Sequence, residues 1–81
     1  MNINKHNKEG KKHGMWKCYF RFKNNVSFKE TYINGKLNGP FESYQPDGNI
    51  LIKGHYINDK RYGIWEHYQE HNKLVSVKFY I

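Results

Sequence analysis

Apolar and polar positions along the chain fall into six short runs rich in β-branched and aromatic residues, each bounded by residues that favour turns. Asn34-Gly35 and Asp47-Gly48 tolerate the positive φ that tight hairpin connections demand. Asn24-Asn25 and Asn58-Asp59 carry a weaker form of the same signal. The runs between these turns predict strands over residues 14–22, 26–33, 39–45, 50–57, 63–69 and 74–81. Short connections make the expected fold all-β: a single six-stranded antiparallel meander with both chain ends on edge strands.

The runs are not independent. The element Gly-x-aromatic-x-x-Tyr occurs three times, as Gly14/Trp16/Tyr19, Gly39/Phe41/Tyr44 and Gly63/Trp65/Tyr68, at steps of 25 and 24 residues. Between the copies lies a second ladder, Tyr32, Tyr56 and Tyr80, each followed by Ile, at steps of 24. The turn pairs Gly10-Lys11, Gly35-Lys36 and Asp59-Lys60 keep the same period. Two ladders with one period predict a repeat protein, a single domain over 1–81 with units near 10–33, 34–57 and 58–81. Trp16 and Tyr19 are three apart, so on a regular strand they face opposite sides. The expectation is one row of rings, Trp16-Phe41-Trp65, stacked on one face, and the Tyr19-Tyr44-Tyr68 row on the other face or the rim. Aromatics that break the ladder, Phe20, Phe22, Phe28 and Tyr62, are the ring candidates for a binding surface.

Composition supports strands over helices. The chain has no alanine and three leucines, while 14 of its 81 residues are Phe, Trp or Tyr, so good helix formers are scarce and strand formers plentiful. A chain this short buries only about 60–65% of the surface its unfolded form exposes, so a thin core held by cross-strand ring contacts is expected. Charge changes the picture further. Residues 1–29 carry eight Lys and Arg against Glu9 alone, whereas residues 30–81 carry six bases and six acids. The whole excess of +7 sits on the first third and points to an anionic partner. The single cysteine, Cys18, can form no internal disulfide, which suits a reducing compartment. No run approaches a membrane helix, and "MNINKHNKEGKKHG" lacks the apolar centre of a signal peptide, so the expected location is the cytoplasm.

The repeat resembles the MORN type, and more closely the variant found in YwqK-like antitoxin proteins. That family's pattern of nGk, nG.W..Y, dG and Tyr is met here by Asn34-Gly35-Lys36, Asn38-Gly39, Phe41, Tyr44, Asp47-Gly48, Tyr56, Lys60, Gly63, Trp65 and Tyr68. Gly10-Lys11-Lys12-His13-Gly14-Met15-Trp16 fits as a first copy, so the likeness covers about residues 8–81. The chain departs from the pattern at Phe41, where the family has Trp, and at Asp59, where it has a turn Gly; "RFKNNVSF" lacks the Asp-Gly turn. The resemblance implies an elongated antiparallel meander that works by binding. YwqK-like members are immunity or antitoxin components, and eukaryotic MORN proteins are associated with membranes, phosphoinositides and scaffolding. It brings no catalytic residue with it.

Side chains that could carry chemistry are few. His67 and His71 have the i, i+4 spacing that suits a metal on a helix, but here they flank a strand end. Cys18 lies beside Lys17 and near His13, yet it shares a strand face with Trp16 and Phe20, which favours a buried structural thiol over a nucleophile. Glu66 and Glu70 are isolated acids. The expectation is a non-enzyme with no cofactor and no metal. Two segments point to partners instead. "KEGKKHGMWKCYFRFK" interleaves bases with rings, and its candidate contact residues are Lys11, Lys12, Lys17, Arg21, Lys23, Phe20 and Phe22, with Tyr62 added as a ladder-breaking ring. A basic and aromatic patch can meet an acidic or nucleic-acid-binding protein surface, follow a nucleic acid, or only guard an edge strand against pairing. "LVSVKFYI" is apolar and β-rich, so Val75, Val77 and Phe79 are expected to pair edge to edge with a partner or a second copy, giving a homodimer. The function expected from these features is a binding module, an antitoxin, immunity protein or virus-encoded inhibitor acting by occlusion. The alternatives are a nucleic-acid or anionic-lipid binding module and a self-assembling scaffold.

Overall fold

The computed structural model describes residues 4–21 and 24–81, and these form one open antiparallel sheet. Its strands are β1 (Lys5–His6), β2 (Lys12–Tyr19), β3 (Val26–Ile33), β4 (Lys36–Leu37), β5 (Gly39–Tyr44), β6 (Ile50–Ile57), β7 (Lys60–Arg61), β8 (Gly63–Gln69) and β9 (Lys73–Tyr80), with a 3₁₀ turn at Glu70–Asn72. Across the sheet the order is β1-β2-β3-β5-β6-β8-β9, with β4 beside β3 and β7 beside β6. Nine strands replace the six expected. The physical reason is backbone shape. Gly39 (φ +122°) and Gly63 (φ +72°) leave the extended region, which detaches the two-residue starts β4 and β7 from β5 and β8. β1 is new, because residues 5–6 fold back along Lys12 and His13.

The sheet is a single twisted layer, with principal extents of 41 × 37 × 18 Å. Its core is correspondingly small, and among the described residues only Trp65 is buried, at 1% exposure. That burial depends on a packed layer of rings on one face. Trp65 stacks on Phe41 with centroids 5.6 Å apart and takes the edges of Tyr56 at 5.0 Å and Tyr80 at 6.3 Å. Its Nε1–H donates to the His55 carbonyl at 3.1 Å. Gly54 makes this possible, because a Cβ there would lie 2.1 Å from Trp65 Cδ2. One period earlier in the chain the same position holds Glu30, whose carboxylate accepts from the Tyr32 hydroxyl at 2.7 Å. Trp16 packs on Tyr32 (6.2 Å) and His6 (5.1 Å), while Phe28, not Trp16, stacks on Phe41 at 6.3 Å. Phe28 is therefore part of the ring layer and not a free binding ring. The three expected row members share one face, but only Phe41 and Trp65 touch as a stack.

The opposite face is polar. In-register pairs run Lys17–Lys29, Lys29–Glu42, Glu42–Lys53 and Lys53–Glu66 across five strands. Tyr44 and Tyr68 lie on this face, donating to Glu42 at 2.7 Å and Glu66 at 3.1 Å. Register slips by one residue between Cys18 and Tyr19, between Ser43 and Tyr44, and between His67 and Tyr68, which leaves Ser27, Leu51 and Val75 with no opposing residue on β2, β5 and β8 respectively. Such bulges increase local twist. Turn bonds recur as well. Gly35 N–H donates to Lys12 C=O and Asp59 N–H to Leu37 C=O, both at 2.8 Å. Asp59 stands in the left-handed region (φ +69°), and its Oδ1 accepts from the Leu37 N–H at 2.7 Å, a bond that glycine could not make.

Candidate interaction surfaces

Among the described residues, the first hairpin's bases are not gathered into one patch. Lys12 lies on the aromatic face, its ammonium 4.8 Å from the Trp16 ring centroid and 5.0 Å from that of Tyr32. Arg61 does the same for Trp65 (4.9 Å) and Tyr80 (5.6 Å), and the Tyr80 hydroxyl that accepts its N–H at 3.1 Å helps to raise its pKa. Both cations act as lids on rings, a contact worth about 0.5–1 kcal/mol at exposed sites. Lys11 is exposed in the turn, with its stem beside Gly35. Lys17 lies on the polar face, in register with Lys29. Arg21 is exposed after β2, and Phe20 is half-buried with its N–H donating to Asn25 C=O at 2.9 Å. Phe22 and Lys23 fall outside the described residues. Tyr62 is exposed between β7 and β8, with β3, β5 and β6 between it and β2, so it cannot join a surface with that hairpin.

A polar-face strip emerges in place of the single patch. Lys5 pairs with His13, and along β2 this face continues through Met15, which is exposed, to Lys17. Lys29 lies next in the sheet and forms an ion pair with Glu42 at 3.1 Å. Hydrogen bonding with Tyr44 and then with Glu42 raises the Lys29 pKa. Burial pushes the Glu42 carboxyl up, but the Tyr44 hydroxyl and Lys29 outweigh it and hold Glu42 below its ordinary value. Burial is also the main cause of the raised Tyr44 pKa. Lys17, Lys29 and Tyr44, with the turn residues Asn25 and Asp47, line an open cleft of about 450 Å³. Because Glu42 neutralises Lys29, the uncompensated charge on the strip comes from Lys5 and Lys17.

The sheet's two edges differ. At the N-terminal edge Asn4 takes the place of a strand residue. Its N–H donates to Met15 C=O at 2.8 Å, its Nδ2 to Lys17 C=O at 3.1 Å, and its Oδ1 accepts from Lys17 N–H at 2.6 Å. Asn7 extends the cover, donating its N–H to Lys11 C=O at 2.7 Å. At the other edge β9 has β8 on one side and no described strand on the other. Its apolar side chains Val75, Val77 and Phe79 are all exposed, and Ile64 on β8 lies directly beside Phe79. Nothing in the sequence singled out Asn4, Gly54 or Ile64. Each acts through a neighbour 10 or more residues away, which local pattern does not reveal.

Residues with chemical potential are dispersed. Cys18 is exposed, contrary to the buried thiol expected, because β1 covers only Lys12 and His13 and a single-layer sheet offers no second layer over the rest of β2. His67 stands on β8 and His71 in the 3₁₀ turn with φ +58°. Among the described residues no three His, Cys, Asp or Glu side chains converge as a metal-holding group, and no helix is long and apolar enough to cross a membrane. No protein-family model, no curated protein and no solved structure matches this chain.

Proposed function

We propose that this protein is a non-catalytic binding module that blocks a protein target by covering it, with the polar-face strip of the first hairpin as its contact surface. The observation that carries this reading is the union of two features: a one-layer sheet that leaves both broad faces open, and a charge excess confined to residues 1–29, of which Lys5 and Lys17 lie together on one face beside exposed Met15. A target with an acidic or nucleic-acid-binding surface complements it. An antitoxin, immunity protein or virus-encoded inhibitor of the cytoplasm is the class that fits, and an exposed, unpaired Cys18 suits that reducing compartment. Recurrence of the positive-φ glycines, the register slips and the turn bonds one period apart supports three units of about 24 residues and, with them, the MORN-type resemblance.

The nucleic-acid reading needs rings free to stack on bases. Of the described rings of the basic segment, Trp16 is already engaged by His6, Tyr32 and Lys12 and Phe20 is half-buried, so Tyr19 is the one left exposed, which favours a protein partner. The test compares the wild-type chain with a Lys5→Glu/Lys17→Glu variant as bait in extracts of the source cell, with and without nuclease. One protein retained by the wild type at low salt, lost with the variant and insensitive to nuclease supports the proposal. Retention of the same proteins by both baits overturns it, and retention abolished by nuclease transfers the reading to nucleic acid.

A further inference from the structure

The two edges of the sheet carry opposite instructions, and the difference reaches beyond the identity of any target. An exposed strand edge is a template for another strand. The N-terminal edge has been withdrawn from that use, since Asn4 satisfies both the N–H and the C=O of Lys17 and also the C=O of Met15. β9 has no described strand along the outer side of its eight residues, and its only charged side chains there are Lys73 and Lys78, with no acidic or proline residue. With one edge closed and the other open, head-to-tail growth is blocked. Pairing between copies can then only join like edges around a two-fold axis, and such pairing stops at two.

We infer that the protein forms a closed dimer in which β9 pairs antiparallel with β9 of a second copy, on a two-fold axis through Val77. Charge permits this contact. The excess lies at the far side of the sheet, five strand spacings from β9, which at about 4.8 Å each is roughly 24 Å and exceeds the Debye length of about 8 Å at physiological salt. Residues 63–81 hold Glu66, Glu70, Lys73 and Lys78, which balance.

Register follows from the side chains. Residues directly opposite each other across two strands share a face, so an axis through Val77 sets Val77 against Val77 of the second copy, Ser76 against Lys78, and Val75 against Phe79. No two lysines then meet. On the polar face, where β9 carries its apolar side chains, Ile64 (57% exposed), Val77 (53%) and Phe79 (70%) of the two copies would become one continuous apolar patch. Moving the axis to Ser76 would instead oppose Phe79 with Lys73 and lose that continuity. The open backbone edge and the exposed apolar side chains thus call for the same occupant, a second β9.

Sedimentation velocity on the full chain from 1 to 100 µM tests the inference. The expected result is a concentration-dependent doubling of the 9.8 kDa monomer mass and no larger species. Val77→Lys sets two ammonium groups against each other on the axis and should weaken the dimer at least tenfold, with an unchanged far-UV circular dichroism spectrum. A second measurement does not depend on how that variant folds. In a Cys18→Ser background, Val77→Cys should oxidise to a disulfide-linked dimer, because opposed Cα atoms of antiparallel strands lie about 4.5–5.5 Å apart, within disulfide reach. Ser76→Cys in the same background should not. A wild-type chain that stays monomeric at 100 µM overturns the inference. So does a dimer that survives Val77→Lys and gives no Val77→Cys cross-link, and species larger than a dimer overturn the closed arrangement.

Discussion

Replacing Gly54 by alanine should destabilise the fold although it adds only one methyl group to a strand. Gly54 has ordinary extended backbone, so nothing in its φ requires glycine. In an open site the change would stabilise by about 0.4–1 kcal/mol by restricting the unfolded chain. Here the new Cβ would sit 2.1, 2.3 and 2.5 Å from Cδ2, Cε2 and Cε3 of Trp65. Carbon atoms prefer separations of about 3.5–4.0 Å, so the indole must move by roughly 1.4 Å. That movement pulls Nε1 from the His55 carbonyl, now 3.1 Å away, and disturbs the stack on Phe41 at 5.6 Å. Overpacking typically costs about 1–3 kcal/mol and the lost hydrogen bond about 1 kcal/mol. The expected loss is roughly 2–3 kcal/mol, against a total of about 4–12 kcal/mol for a chain of this length. Urea unfolding followed by far-UV circular dichroism measures it, and the near-UV signal of the two tryptophans should weaken in parallel. Repeating the change in a Trp65→Leu background isolates the cause, since there it should be neutral or slightly stabilising. A Gly54→Ala chain as stable as the wild type would refute the account of the core.

Acid should remove the contribution of the Lys29–Glu42–Tyr44 cluster. Glu42 titrates below its unfolded value, so its stabilisation is fully present above about pH 4.5 and is lost as pH falls through its folded pKa. The stability gap between wild type and Glu42→Gln, about 0.2–1 kcal/mol at pH 7, should therefore narrow as pH falls below about 4.5; urea midpoints followed through that fall would show a constant gap if the assignment is wrong. At the β6–β7 turn, Asp59→Ala should lower the melting temperature more than Asp59→Gly. Alanine pays the left-handed cost of about 1–2 kcal/mol, while either change loses the 2.7 Å bond to Leu37. Equal melting temperatures would contradict this. Removing the Asn4 side chain should loosen the N-terminal edge, seen as faster hydrogen exchange at Lys17, whose N–H it accepts at 2.6 Å.

Much of the scaffold was legible because its signals are local. Turn residues with positive φ, such as Asn34-Gly35, and runs such as Ile50–Ile57 mark where the chain reverses and where it extends, and the long strands fall within a few residues of those signals. The splitting of β4 from β5 was not legible, since Gly39 reads the same whether it kinks a strand or only begins one. The contact candidates fared differently. Spacing along β2 put Lys12 and Lys17 in one basic segment, but residues five apart on a strand face opposite ways, and the structure sends one to the ring layer and the other to the polar face.

The amino-acid sequence by itself determined an all-β chain, the period on which its rings recur, and a charge excess confined to one end. Those are properties of composition and of neighbours along the chain. Only the tertiary structure decided that among the described residues Trp65 alone is fully enclosed, that Phe28 belongs to the ring layer while Cys18 is exposed, and that Asn4 covers one edge while β9 has no described strand on its outer side. Each of these depends on which strand lies beside which and in what register, and cross-strand register brings together residues that the chain holds far apart.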